Sequence, residues 1–155
     1  MMHLDFVEPG QSAAAQPTVC MHCQDPVAPC AEVCPADAIL VTADGVVQMA
    51  SKERCIACGN CVHACPFGVP KLDLSEMVQF KCNMCYDRTS NGLGPMCATV
   101  CPTGSLWFGT LEELEQQRPG VRVTDTFSFG LTTLRTGCAM VIPADYPQNT
   151  VPGTS

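Results

Sequence analysis

The sequence predicts a small α+β fold in which short hairpins and helical turns repeat in tandem around groups of cysteine, with an extended C-terminal tail. Three observations predict it. Twelve of the thirteen cysteines fall into three groups of four, each closing with Cys-x-x-x-Cys-Pro, at Cys30/Cys34/Pro35, Cys61/Cys65/Pro66 and Cys97/Cys101/Pro102. The stretch Cys30-Ala31-Glu32-Val33-Cys34 returns almost unchanged as Cys97-Ala98-Thr99-Val100-Cys101, the mark of an internal repeat. Asp44-Gly45 lies between the apolar runs Ala38–Val41 and Val46–Met49, and Asp-Gly in that setting is a strong hairpin signal.

Residues 1–17 are expected to be a mobile lead, since Pro9-Gly10-Gln11-Ser12-Ala13-Ala14-Ala15-Gln16-Pro17 has little to bury and two prolines. The cysteine-rich body is expected over 18–109. Its second hairpin runs from Pro70–Leu74 to Val78–Lys81, turning at Ser75-Glu76. Helical turns are expected between the third and fourth cysteines of each group, and proline after the fourth, with no N–H to give, fixes the local path. In 110–155, Thr110 followed by Glu113 forms a capping-box pattern for a short helix that Pro119-Gly120 stops. Val121–Thr124 and Ala139–Ile142 read as strands, and Pro143, Pro147, Pro152 and Gly153 predict an extended end. This tail is expected to lie against a partner rather than fold alone, the plainer alternative being disorder.

Cysteine spacing points to metal. The middle group, Cys55-x-x-Cys58-x-x-Cys61-x-x-x-Cys65-Pro66, has the compact bacterial ferredoxin spacing, in which the fourth thiolate ligates the neighbouring iron–sulfur cluster. The outer groups lengthen the gap before the third cysteine, to six residues between Cys23 and Cys30 and eleven between Cys85 and Cys97. Two thiolates separated by two residues sit on one tight loop, a third enters with the following helical turn, and the fourth shares a helix face with the third. A disulfide scaffold is disfavoured by the odd cysteine count and the tight Cys-x-x-Cys pairs. Four-thiolate zinc, holding an interaction module, is the rival from a different class. The recurring Cys-Pro and the compact middle run favour iron, and so an electron carrier with several [4Fe-4S] clusters.

A formal charge of −7 and a pI near 4.7 argue against a nucleic-acid partner. No stretch approaches the roughly twenty apolar residues of a membrane span. Met1–Glu8 carries neither the basic charge nor the apolar run of an export signal. The expected location is therefore cytoplasmic, with export on a partner's signal left open.

Three segments carry a family resemblance: Cys20-Met21-His22-Cys23-Gln24-Asp25-Pro26, then Cys55-Ile56-Ala57-Cys58-Gly59-Asn60-Cys61-Val62-His63-Ala64-Cys65-Pro66-Phe67-Gly68-Val69-Pro70, and Lys81-Cys82-Asn83-Met84-Cys85-Tyr86-Asp87-Arg88. Over about residues 18–110 the chain resembles the iron–sulfur subunits of molybdenum and tungsten pterin oxidoreductases of the dimethyl-sulfoxide-reductase and formate-dehydrogenase kind. The resemblance implies a ferredoxin-like electron-transfer subunit, non-catalytic alone, serving a larger catalytic subunit. Relatives also serve hydrogenases, and a stand-alone ferredoxin is the nearer alternative.

The resemblance further implies that two groups exchange their fourth cysteines. One cluster then takes Cys20, Cys23, Cys30 and Cys65, and another takes Cys55, Cys58, Cys61 and Cys34. The family pattern has four cysteine groups, and the first is lacking here. Cys82, Cys85 and Cys97 therefore inherit no fourth ligand, and Cys101 would point to an absent neighbour. Either Cys101 or Cys138 completes a third cluster, or that site holds [3Fe-4S] or borrows a ligand from another chain. Gly137 before Cys138 permits close backbone approach, although a single cysteine is commonly a small buried hydrophobe. His22 and His63 are read as neighbours of clusters or solvent-facing, not ligands. Lys81 and Arg88, which flank the last group, are read either as raising the potential of a nearby cluster or as solvated at the surface, and Trp107 and Phe108 as packing over a cluster or in the core.

Overall fold

A computed structural model describes residues 3–6 and 15–145 of the protein, with side chains from 18 to 145. Most of the expected lead, and the end of the tail with Pro147, Pro152 and Gly153, lie outside the described residues. Within the lead, β1 (His3–Phe6) pairs antiparallel with β2 (Ala15–Thr18).

The body is made of short pieces. β3 (Cys23–Asp25) is followed by α1 (Pro29–Glu32), α2 (Asn60–Ala64), β4 (Lys71–Asp73), β5 (Val78–Phe80), α3 (Tyr86–Thr89) and α4 (Met96–Thr99). Shortness follows from composition, because prolines and glycines recur every few residues between the cysteines and interrupt the local run. The Asp44-Gly45 turn closes a minimal hairpin: Thr42 and Gln48 donate to Val46 and Leu40 at 3.0 and 2.8 Å, and Val41 bridges Val47. β4 and β5 pair in register Leu72 to Gln79, and Asp73 Oδ1 accepts from the Ser75 and Glu76 amides to shape their turn.

The tail is more ordered than its sequence announces. α5 (Leu111–Gln117) carries the full capping box, Thr110 Oγ1 accepting from Glu113 N while the Glu113 carboxylate accepts from Thr110 N. β6 (Val121–Phe129) and β7 (Thr132–Pro143) form a long hairpin around Gly130-Leu131, with Gly130 at φ +58°, where a glycine meets no Cβ penalty. β7 then pairs with β3, giving the sheet order β3-β7-β6. The hairpin thus lies on the cysteine body, with Phe67 edge-on to Phe127 and Phe129 at 5.4 and 5.1 Å between ring centroids.

The apolar interior is small and partly made of thiols. One cluster packs Ala28, Cys30, Ala38, Ile39, Val47, Ala50 and Cys61, and another packs Cys20, Val69 and Cys82.

Candidate metal centre

The three cysteine groups share one backbone plan. In each Cys-x-x-Cys loop the residue before the second cysteine is left-handed: His22 at φ +49°, Ala57 at +53° and Met84 at +59°. That conformation costs a non-glycine residue about 1–2 kcal/mol, and it turns successive backbone N–H groups toward one concave side, where anionic sulfur is favoured. The third cysteine of each group is the second residue of a helical turn, Cys30 in α1, Cys61 in α2 and Cys97 in α4. After the fourth, the chain turns back alike: the amides of Asp37, Gly68 and Gly104 donate to the carbonyls of Cys34, Cys65 and Cys101, at 3.2, 3.1 and 3.2 Å.

Two cavities result. The first is lined by Cys20, Cys23, Cys30 and Cys65, with Phe67 and Lys81 on its wall. The second is lined by Cys34, Cys55, Cys58 and Cys61, with Leu72 and Gln79 on its wall. In the first and middle groups the fourth cysteine therefore lines the other group's cavity, Cys34 the second and Cys65 the first. All thirteen cysteines are free, so no disulfide framework is present. Among the described residues no three Cys, His, Asp or Glu side chains converge closely enough to hold a single metal ion. Four thiols that line one space without converging on a point suit a polynuclear group.

Burial pushes the thiols up: Cys30 to about 12 and Cys23 to about 11, where the neighbouring Cys20 and Cys65 thiols add to the burial. Cys61 is raised by burial, with Cys58, Cys34 and Cys55 adding to it. Thiolates gathered this closely need positive charge among them, which iron supplies. The residues present therefore fit iron–sulfur ligation.

Several polar side chains lie elsewhere than the sequence suggested. Lys81 is not a solvated flank of the last group. It is 2% exposed, and its Nζ lies 3.5 Å from Cys20 Sγ, at the first cavity. His22 is 1% exposed rather than solvent-facing; its Nδ1 accepts from the Val47 amide at 3.1 Å, which leaves the proton on Nε2, 3.8 Å from Cys82 Sγ. Burial, with the Lys81 charge adding to it, lowers His22 to about 3, so the ring stays neutral. His63 is exposed. Arg88 bonds the Gly94 carbonyl at 3.1 Å and shapes its own loop. Trp107 is half-buried, whereas Phe108 is exposed and covers no core. Sequence reasoning missed Gln79, a polar residue inside the Val78–Phe80 strand and two positions from Lys81.

The last group is less enclosed. Cys82 is buried, and Cys85, Cys97 and Cys101 are half-buried. Hydrogen bonds from Thr103 and from the Leu106 amide lower Cys101 to about 7. Its setting copies that of Cys34, which accepts from the Ala38 amide at 3.3 Å. Cys138 reaches in from β7, its amide donating to the Met21 carbonyl at 3.0 Å. Burial raises it to about 12, with the charges of Cys20, Cys82 and Cys97 adding to the effect.

Comparison with known proteins adds names to this geometry. The chain is 46% identical over 96 residues to the iron–sulfur subunit of nitrate-inducible formate dehydrogenase from Escherichia coli, covering 61% of this chain and 32% of that protein. It is 48% identical over 100 residues to a thiosulfate reductase electron transfer subunit from Salmonella typhi, covering 64% and 50%. It is 40% identical over 98 residues to a probable anaerobic dimethyl sulfoxide reductase chain from Escherichia coli, covering 63% and 46%. The chain thus spans about a third to a half of the length of these relatives. With residues 12–111, which contain all three cysteine groups, matching its pattern, the chain belongs to the 4Fe-4S dicluster domain family.

Proposed function

We propose that the chain is an electron-transfer component of a molybdenum- or tungsten-pterin oxidoreductase. Cys20, Cys23, Cys30 and Cys65 hold one [4Fe-4S] cluster, and Cys34, Cys55, Cys58 and Cys61 hold another. The observation that carries this reading is the pair of cavities, each lined by four free cysteines drawn from two different groups. The relatives' names, which include formate dehydrogenase, thiosulfate reductase and dimethyl sulfoxide reductase components, support a catalytic partner of that class. A bound cluster supplies a one-electron store that cycles with little rearrangement. The chain's part is to hold the thiolates, exclude water with Val47, Val69, Ile39 and Leu72, and aim donors at sulfur.

For the last group we propose Cys82, Cys85, Cys97 and Cys138 as the ligand set of a third cluster. Cys101 already accepts from Thr103 and Leu106, in the arrangement that at Cys34 serves a neighbouring cavity.

The test is to reconstitute the full chain anaerobically, count iron and sulfide, and record electron paramagnetic resonance after reduction. About twelve irons per chain are expected, at four per cluster. About eight would empty the last group. A colourless product holding zinc would overturn the reading. The partner is tested separately, by whether a pterin-containing subunit co-purifies from native extract.

A further inference from the structure

Two polar side chains in the interior each lack a counterpart among the described residues: Lys81 an opposite charge, and Gln79 an acceptor for its amide N–H. Lys81 is 2% exposed, and three acceptors surround its Nζ: the Val47 carbonyl, the Cys82 carbonyl at 3.0 Å and Cys20 Sγ at 3.5 Å. An ammonium has three N–H donors and no acceptor, so these three partners use it fully in its charged form. The ion pairs formed among the described residues are Lys52–Glu76 and Arg54–Asp37, both at the surface. Among the described residues Lys81 thus has no carboxylate partner. Burying a cation without an opposite charge is strongly unfavourable, and the group within reach that can carry one is the Cys20 sulfur of the first cavity.

Gln79 is 1% exposed and lines the second cavity beside Cys34, Cys55, Cys58 and Cys61. Its Oε1 accepts from the Ala50 amide at 2.9 Å, which fixes which end of the amide is oxygen, and its Nε2 has no partner. An orphan buried donor is costly unless an acceptor comes to it. Gln79 lies within β5, and Lys81 follows directly after that strand, two residues on.

From this pairing we propose that one short segment, β5 and the residue that follows it, tunes both proposed clusters: Lys81 places a positive charge against the first, and Gln79 places a neutral N–H donor against the second. A nearby cation favours the added electron more than a neutral dipole does. The first cluster is therefore the more readily reduced of the pair, and an electron entering the pair settles there. Both residues are positioning residues acting through the ligated sulfur. The inference rests on the cluster assignment above.

The experiment uses the anaerobically reconstituted full chain, with iron content measured before any potential is. Wild-type protein without iron would sink the cluster assignment itself. With iron present, reductive titration followed by paramagnetic resonance is compared for Lys81→Met, Lys81→Gln, Lys81→Arg and Gln79→Leu. Lys81→Met and Lys81→Gln should make one centre at least tenfold harder to reduce, a shift of about 59 mV for one electron, while Lys81→Arg stays closer to wild type. Gln79→Leu should shift a different centre, by less. If both neutral variants instead lose one cluster's share of iron that Lys81→Arg retains, the charge is still needed at that site. Unchanged midpoints in Lys81→Met, equal shifts of all centres, or a Gln79→Leu shift in the same centre overturn the proposal.

Discussion

At the residue scale, the two candidates for the last ligand differ in measurable ways. Cys138→Ser should lower the iron content by about four per chain, one cluster, while Cys101→Ser leaves it unchanged; the reverse pattern would assign the ligand to Cys101. Their chemistry with alkylating reagent should separate them too. With its value lowered to about 7 by hydrogen bonds from Thr103 and Leu106, Cys101 in the iron-loaded chain should react at a rate that climbs through pH 7, since the thiolate is the nucleophile. Those bonds stabilise the thiolate, so their contribution is present at alkaline pH and fades as pH falls through about 7. Ala57 tests the left-handed loop. At φ +53° a β-branched side chain is strongly disfavoured, so Ala57→Val should cost about 1–2 kcal/mol and shorten the retention of iron under chelator, whereas Ala57→Gly should not.

At the scale of elements, the docking of β7 on β3 is the contact most exposed to a single substitution. A Cβ at Gly137 would stand 2.8 Å from Gln24 Nε2 and 3.3 Å from the His22 carbonyl, the same carbonyl that accepts the Gly137 amide at 2.8 Å. Alanine is tolerable because the Gln24 side chain can move. Gly137→Val should part the strands and show faster amide exchange at Gly137 and Cys138. The hairpin's other hold is the edge-on packing of Phe67 with Phe127 and Phe129. Such pairs contribute about 0.5–1.5 kcal/mol beyond area burial, and Phe67 also lines the first cavity. Phe127→Ala should therefore speed loss of the first cluster to oxygen more than loss of the second, as read from the decay of each resonance signal.

At the scale of the whole molecule, the two cavities bind the groups to one another, because each holds a cysteine from the other's sequence segment. Cys65→Ser, in the middle group, should accordingly alter the resonance of the cluster held by Cys20, Cys23 and Cys30 and leave the other near wild type. An effect on the middle group's own cluster instead would refute the exchange. With so little apolar core, bound clusters are expected to provide much of the folding free energy, and removal of iron should loosen the body cooperatively.

What the sequence by itself determined is local. Cysteine spacing, Asp44-Gly45, and Thr110 with Glu113 each act through neighbours a few residues away, so a reader of the chain can find metal-binding loops, a hairpin and a capped helix. The spacing of the middle group already suggested that a fourth cysteine serves a neighbouring cluster, but that Cys34 and Cys65 are the pair exchanged was suggested only by a family resemblance, since nothing local says which group lies alongside. The tertiary structure alone decided that β7 lies on β3, that Lys81 leaves its own group to sit against Cys20, and that Gln79, on the wall of the second cavity, is buried with its amide N–H unpaired. Those outcomes depend on pairings across tens of residues, and a buried cation or amide looks in the sequence like any polar residue between apolar ones.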